Sequence, residues 1–210
     1  MANKTTRRSF IKKAAVTGAA VGITGMASPL SSRIFAEPAG SSGLKILVLG
    51  GTGQTGPHLI RDLISRGHTV TMFNRGNRSK DLFPDVECLI GDRMAKEADG
   101  LAALAAEVEK SRKWDICIDI WPHIPKVVEK SALLLQKNVG HFMYVSSLSV
   151  YADNSTPGAD ETSAVLEAPD ADNTEFTMQL FGPFKAECEN RVRKIFPENH
   201  TVFRPGLIVG

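Results

Sequence analysis

The residues of this chain best suited to bind phosphate are three glycines spaced three apart, Gly50, Gly53 and Gly56. An apolar run over residues 44–49 precedes them, and its five apolar residues in six positions predict a strand covered on both faces. After them, apolar residues recur at helical spacing. A glycine turn between a strand and a helix can bind a pyrophosphate through backbone amides and the helix N-terminus. The segment therefore predicts a nucleotide cofactor, and a glycine-rich β-turn without a ligand is the alternative.

Each glycine of this turn has its own predicted role. Gly50 is expected to adopt a positive φ, and Gly53 to let the backbone approach a pyrophosphate. Gly56 is expected to let the helix close onto the strand. Gln54 and Thr55 lie inside the same turn and complete the predicted cofactor-binding segment.

The elements that must position this turn alternate between short β-rich runs and helical patterns. We expect strands near 44–50, 68–73, 86–90, 114–120, 141–146 and 200–204, and helices near 57–66, 98–112, 125–137 and 178–195. Parallel strands joined by right-handed helical crossovers predict an α/β fold, a doubly wound parallel sheet in the order 3-2-1-4-5-6. The ligand crevice is then expected at the carboxyl ends of strands one and four.

The first 36 residues have the pattern of an export signal. The segment Thr6–Lys12, with its Arg pair, resembles the twin-arginine motif, and a Gly- and Ala-rich run follows it. We expect cleavage after Ala36, with Ala27 as the second choice. The run is too short and too Gly-rich for a stable membrane span. The domains are therefore a signal peptide over 1–36, a linker over 37–43 and a dinucleotide-binding domain over 44–210. A disordered basic N-terminus with a chance Arg pair is the alternative.

The charge of the chain changes when the leader is set aside. The leader holds six of the 25 Lys and Arg residues and none of the 23 Asp and Glu residues, which leaves 19 against 23 and a net charge of −4. A mildly acidic mature protein gives no support for binding nucleic acid or an anionic membrane. The three cysteines, in predicted strands and a predicted helix, are expected to be buried free thiols, and no metal-ligand spacing is found: Cys88, Cys117 and Cys188.

Several motifs agree with one family in type and order. The glycine turn is followed by Gly91-Asp92 after strand three, by residues 146–151 (SSLSVY) after strand five, and by residues 204–206 (RPG) after strand six. From residue 44 to its end, the chain resembles the extended short-chain dehydrogenase/reductases, specifically the NAD(P)-dependent epimerase/dehydratase group. The resemblance implies a small-molecule, carbohydrate-like substrate and a homodimer through the helices near 125–137 and 178–195. Packing of those helices on the sheet explains their apolar faces equally well.

The resemblance also implies residues that bind the cofactor. Asp92 is expected to accept a hydrogen bond from the adenine amino group, and a turn-stabilising Asp is the alternative. At the end of strand two, where a carboxylate would bind the ribose hydroxyls of NAD, the chain has Asn74 and Arg75. Arg75, with Arg78 or Lys80 behind it, favours the 2′-phosphate of NADP. An NAD site beside a solvated basic loop is the alternative.

Catalysis in the family uses a Ser or Thr, a Tyr and a Lys. Ser147 matches the first position and is expected to orient the substrate oxygen, and Lys185 matches the last and is expected to hold the nicotinamide ribose. Phe181 occupies the Tyr position of the YxxxK motif, and it cannot transfer a proton. Tyr151 is the nearest replacement in the sequence.

Other polar residues near the crevice are weaker candidates. His123 lies where the loop after strand four is expected to approach the nicotinamide, and it is interpreted as either a polar wall of the site or a residue without a role. His58, at the start of the first helix, has no metal spacing. Asp119, at the end of strand four, is expected to be structural.

Two functions follow from these patterns. The first is an exported epimerase, dehydratase or oxidoreductase, carried by the twin-arginine translocase to the periplasm. Because no pool of nicotinamide cofactor is expected there, the cofactor would be bound tightly and regenerated within each turnover. The second is a catalytically silent NAD(P)-binding sensor or partner-binding module, as Phe181 suggests. The segment 204–210, which ends in an apolar run, leads us to expect a C-terminally truncated chain without the substrate lobe of the family: either the sequence is a fragment, or the protein lacks what normally follows.

Overall fold

The strands of this protein form one parallel sheet of six strands in the order β3-β2-β1-β4-β5-β6. In the computed structural model, residues 43–208 are described except 96, 97, 121, 156, 171, 173 and 174. The strands are β1 Lys45–Leu49, β2 Thr69–Asn74, β3 Glu87–Ile90, β4 Trp114–Asp119, β5 Val139–Val145 and β6 His200–Phe203. This order confirms the predicted doubly wound fold. The predicted export signal lies outside the described residues.

In the part of the chain that the structure describes, five α-helices connect the strands. They are α1 Gly56–Ser65, α2 Ser79–Leu82, α3 Ala102–Glu109, α4 Pro125–Leu135 and α5 Phe181–Ile195. Two predicted helices begin instead as 3₁₀ turns, at Ala98–Leu101 before α3 and at Met178–Leu180 before α5. The short helix α2 was not predicted from the sequence, because its four residues are too few to show a helical period.

Both faces of the sheet are covered, which explains why β1 is apolar at almost every position. Because successive side chains of a strand point to opposite faces, β1 contributes to two separate cores. Leu47 and Leu49 belong to the core shared with α3, α4 and α5. Ile46 and Val48 belong to the core shared with α1. Helix α4 buries its apolar face on the sheet side, through Val128, Ala132 and Leu135.

The cysteines are free thiols, as predicted. Cys117 and Cys188 are buried, and Cys88 is half-buried. Burial raises the pKa of the Cys188 thiol to about 12 and also raises that of Cys117, so both stay protonated and unreactive at neutral pH. Among the described residues, no group of three or more His, Cys, Asp or Glu side chains could hold a metal ion. Within the same residues, no helix has the length and apolar character needed to cross a membrane.

Candidate cofactor site and active site

The glycine turn joins β1 to α1 and lies at the point where the strand order reverses, between β1 and β4. Gly50 has a φ of +108°, as predicted. Gly51, which the sequence analysis did not single out, has a φ of +95°, and a Cβ there would also lie 2.6 Å from the Ile60 side chain. Two successive positive φ values favour glycine at both positions, because other residues adopt this conformation at a cost.

The other two glycines of the turn differ in the space around them. A Cβ on Gly53 would meet no atom within 4 Å, so this side of the turn is open to an approaching ligand. A Cβ on Gly56 would lie 2.5 Å from the backbone of Gly51. The close approach that Gly56 permits is therefore to the turn itself and not, as expected, to the strand.

The first turn of α1 is suited to bind an anion. Its N-cap residue, Thr55, makes no side-chain capping hydrogen bond to the helix. The amide groups of a helix N-terminus carry a partial positive charge and attract phosphate. With the open face at Gly53, this arrangement fits the pyrophosphate of a dinucleotide.

Asn74, at the end of β2, braces the glycine turn. Its Nδ2 donates to the Gly50 carbonyl at 3.0 Å, and its Oδ1 accepts from the Gly76 amide at 2.8 Å and from the Ser79 hydroxyl at 2.7 Å. Because both ends of the carboxamide are engaged within the protein, Asn74 links the glycine turn to the loop after β2. Its predicted contact with the cofactor stays a prediction.

The basic residues after β2 lie at two different places. Arg75 is exposed at the end of the strand. Arg78 reaches back to the glycine turn, where its Nη1 donates to the Thr52 carbonyl at 3.1 Å. Arg78 is therefore beside the glycine turn, whereas Arg75 stays exposed at the end of β2. The preference for NADP stays a prediction.

Asp92 and Arg93 follow β3 and face different partners. The Asp92 Oδ1 accepts from the Met94 amide at 3.0 Å, which is the turn-stabilising contact considered as the alternative to adenine binding. Arg93 binds the carboxylate of Asp119 through two hydrogen bonds of 2.9 and 2.8 Å. Since Asp119 is fully buried, this pair holds the ends of β3 and β4 together and gives Asp119 the structural role expected of it.

Lys185 projects from α5 into the interior, where it is 2% exposed. Its Nζ donates to the Val145 carbonyl at 2.6 Å, the Tyr144 hydroxyl at 3.1 Å and the Pro122 carbonyl at 3.4 Å. Burial lowers the pKa of Lys185 to about 8. The predicted contact with the nicotinamide ribose requires the ammonium to exchange one of these bonds for a ribose hydroxyl. Tyr144, which the sequence analysis missed, is its neighbouring hydroxyl.

Ser147 and Tyr151, the other predicted catalytic residues, lie on either side of a 3₁₀ turn over Leu148–Val150. The Ser147 Oγ accepts from the Ser149 amide at 3.1 Å and so caps this turn at the carboxyl end of β5. Tyr151 is only 7% exposed, and the Arg204 guanidinium lies 4.8 Å from the centre of its ring. Their catalytic roles stay predictions, but Tyr151 is covered rather than turned toward a ligand.

A buried acid that the sequence analysis missed anchors the segment after β6. Glu189 is fully buried, and both of its oxygens accept hydrogen bonds from Arg204, at 3.0 and 2.7 Å. Burial by itself raises the pKa of Glu189, but the hydrogen bonds from Arg204 and the nearby positive charges outweigh it and hold the pKa below its usual range. An acidic residue at helical spacing from the buried Ala186 and Val192 was the available signal.

Phe181, in place of the expected Tyr, is half-buried at the start of α5 and lies beside two other rings. Its ring centre is 6.1 Å from that of His123 and 6.4 Å from that of Phe176. His123 and Phe176 are closer still, at 4.1 Å. The structure thus places the histidine from the loop after β4 beside Phe181, the residue at the tyrosine position of the YxxxK motif.

The sequence model of the NAD dependent epimerase/dehydratase family matches residues 46–179, which hold the glycine turn, the end of β2 and the loop with His123. This chain belongs to that family. No curated protein is significantly similar to it in sequence.

Several solved structures share the fold. WbmG of Bordetella bronchiseptica, solved in complex with NAD, is 17% identical, with a TM-score of 0.58 over 80% of this chain and 54% of that one. UDP-N-acetylglucosamine 4-epimerase of Bacillus cereus is 17% identical, with a TM-score of 0.55 over 77% and 60%. An epimerase of Methanothermobacter thermautotrophicus is 20% identical, with a TM-score of 0.56 over 78% and 51%. This chain spans little more than half the length of each of these three proteins.

Proposed function

We propose that this protein binds NAD(P) at the glycine turn and works as an epimerase, dehydratase or oxidoreductase on a sugar-like hydroxyl compound. The observation that carries this proposal is the turn itself. Gly50 and Gly51 adopt positive φ values, the face at Gly53 is open, and α1 begins without a side-chain cap. Membership of the epimerase/dehydratase family supports the reaction class.

The residues of this chain divide the work along the crevice. The glycine turn and the N-terminus of α1 bind the pyrophosphate, with Arg78 beside them. Ser147, which caps the 3₁₀ turn at the carboxyl end of β5, orients a substrate oxygen in this proposal. Lys185 keeps most of its charge at pH 7 and supplies a positive potential under the nicotinamide end. When bound, the dinucleotide supplies the hydride acceptor and donor of the reaction.

The substrate class is proposed from relatives. UDP-N-acetylglucosamine 4-epimerase and UDP-galactose 4-epimerase act on sugars linked to a nucleotide, and WbmG has been solved with NAD and UDP. The twin-arginine pattern at residues 6–12 supports export of a folded protein with its cofactor already bound. Outside the cytoplasm nucleotide sugars are scarce, so free or glycan-linked sugars are the better candidates for this chain.

Calorimetric titration of the purified full chain with NAD and with NADP tests the proposal, followed by assays with UDP-galactose, UDP-N-acetylglucosamine and free hexoses. Binding of a dinucleotide that Gly53→Val removes, together with turnover of one sugar, supports the enzyme. A folded protein that binds neither dinucleotide contradicts it.

A catalytically silent NAD(P)-binding module is the second candidate, and the specific observation in its favour is Phe181. A phenyl ring in the tyrosine position cannot move a proton, whereas the glycine turn is intact. This candidate predicts tight dinucleotide binding without turnover of any sugar. It also predicts that substitution of polar residues near Phe181 leaves dinucleotide binding unchanged.

A further inference from the structure

Three rings from separate parts of the chain form a wall at the carboxyl ends of β4 and β5. We name His123, Phe176 and Phe181 the ring wall. His123 comes from the loop after β4, Phe176 from the long loop before α5, and Phe181 from the first residue of α5. All three are partly exposed, and the imidazole is the one member that can exchange a proton at neutral pH.

The backbone on both sides of His123 is held in place. The carbonyl of Pro122 accepts hydrogen bonds from the Tyr144 hydroxyl at 2.7 Å and from the Lys185 ammonium at 3.4 Å. On the other side, Ile124 is 4% exposed and begins the buried face of α4. A catalytic group must be positioned by its surroundings, and these contacts position His123.

The surroundings of His123 also favour a neutral imidazole. Partial burial lowers its pKa, and the positive charge of Lys185 lowers it further. Among the described residues, Tyr144 on β5 donates to this loop at Pro122, and Asp119, at the end of β4 just before the loop, is paired with Arg93. Glu175 directly precedes Phe176 in the chain. A neutral imidazole at pH 7 can accept a proton, and an imidazolium next to Lys185 readily gives it back.

We propose that His123 is a catalytic residue of this protein. It exchanges a proton with the substrate hydroxyl, which Phe181 at the tyrosine position cannot do. This inference rests on the proposed function. In the oxidative direction the O–H bond breaks and its proton goes to the imidazole, while the C–H bond breaks and its hydrogen leaves with both bonding electrons, as hydride, to the oxidised dinucleotide. The carbon–oxygen bond becomes a carbonyl. In the return direction the imidazolium gives its proton to the oxygen as the hydride comes back.

The two tyrosine hydroxyls of the chain are less accessible than His123. Tyr144 is fully buried, and burial raises its pKa well above the usual value. Tyr151 is 7% exposed beneath Arg204. His123 combines partial exposure, a fixed position and the charge of Lys185.

Two readouts on the full chain test this inference. The first follows the ¹³C-labelled imidazole resonances against pH, with and without saturating NAD or NADP, and assigns His123 from His123→Asn. We expect the His123 pKa to lie below 6.5, to rise in Lys185→Met, and to shift on dinucleotide binding. His141, in the amino-terminal half of β5 and hydrogen-bonded to Thr201, serves as the internal control.

The second readout is kinetic, with the sugar that the wild-type protein turns over. We expect His123→Asn to lower kcat by a factor of about 10²–10⁴. The dissociation constant of this variant for NAD(P) should stay within about twofold of the wild-type value. In the pH profile of wild-type kcat, the loss of activity on the acid side should follow the His123 pKa. The control His141→Asn should retain activity.

The outcomes separate this inference from the proposed function. A wild-type protein that binds no dinucleotide overturns both. Wild-type turnover that survives His123→Asn within threefold overturns the role of His123 and leaves the proposed function standing. If a dinucleotide binds but no sugar tested reacts, the imidazole resonances decide. A His123 signal that does not respond to the dinucleotide overturns the inference. A His123 signal that responds, while the His141 signal does not, supports it.

Discussion

The ammonium of Lys185 lies 3.1 Å from the hydroxyl of Tyr144, a residue 41 positions earlier in the chain. The same hydroxyl donates to the Pro122 carbonyl, so one buried group links α5, β5 and the loop after β4. Through this link the positive charge of Lys185 acts on His123, while the ammonium itself stays buried. It also places an ionisable amine in an environment that disfavours its charge.

The cost of burying Lys185 should be visible in the pH dependence of stability. Its pKa is about 8 in the folded protein, against 10.5 for an unperturbed lysine. Between these values the unfolded chain binds the extra proton, so the contribution of Lys185 to the free energy of unfolding rises with pH, by up to about 1.4 kcal/mol per unit. Urea unfolding of the wild type and of Lys185→Met, measured from pH 7 to pH 10, should show the free energy of unfolding of the wild type rising relative to that of the variant. The exposed Lys130→Met should show no such trend.

Two glycines of the turn should respond differently to a side chain. Gly53→Val adds atoms to open space, so we expect the free energy of unfolding to change by less than about 0.5 kcal/mol while NAD(P) affinity falls at least about 100-fold. Gly56→Ala places a methyl group 2.5 Å from the Gly51 backbone and should cost about 1–3 kcal/mol of stability. Calorimetry and thermal unfolding of both variants provide the check. Full affinity in Gly53→Val would place the dinucleotide elsewhere.

Cofactor choice should depend on Arg75. We expect Arg75→Ala to weaken NADP by about tenfold while NAD binding changes little, because only NADP offers a 2′-phosphate. Arg78→Ala should weaken both, since Arg78 lies at the phosphate turn. Parallel titrations with the two dinucleotides measure this. If the protein prefers NAD and Arg75→Ala does not change this preference, the assignment of Arg75 to a 2′-phosphate is wrong, while the assignment of the cofactor site stands.

Export should require the paired arginines. Replacing Arg7 and Arg8 with Lys is expected to retain the folded protein in the cytoplasm, because the twin-arginine translocase reads that pair. Fractionation of cells that express the two forms measures the effect. An equal distribution of both forms would remove the export proposal and with it the argument for internal cofactor recycling.

The ring wall offers a gain-of-function test. Phe181→Tyr places a phenol beside His123 and restores the hydroxyl that the family uses, so we expect turnover to rise. The assay should follow nicotinamide absorbance and also cofactor released by denaturation, because an internally recycled cofactor leaves no net signal. A sharp loss in Tyr151→Phe, with no effect of Phe181→Tyr, would assign proton transfer to Tyr151 instead.

The local patterns of this chain were readable because they depend on neighbours in sequence. The nearly continuous apolar run of β1 predicts a strand with two buried faces, and the structure places its residues in two cores. The spacing of Gly50, Gly53 and Gly56 predicts the phosphate turn for the same reason. The order of strands follows from the handedness of helical crossovers, which is nearly invariant.

Only the tertiary structure decided the contacts between residues that are distant in the sequence. Arg93 and Asp119 are 26 positions apart, and no period in the sequence pairs them. His123 meets Phe176 because the long loop before α5 returns across the end of β4, a path set by packing and not by propensity. The sequence by itself determined the fold and the place of the cofactor turn, since local patterns and chain handedness are sufficient for both. The tertiary structure decided which imidazole, hydroxyl and ammonium share a site, because burial and charge act through space.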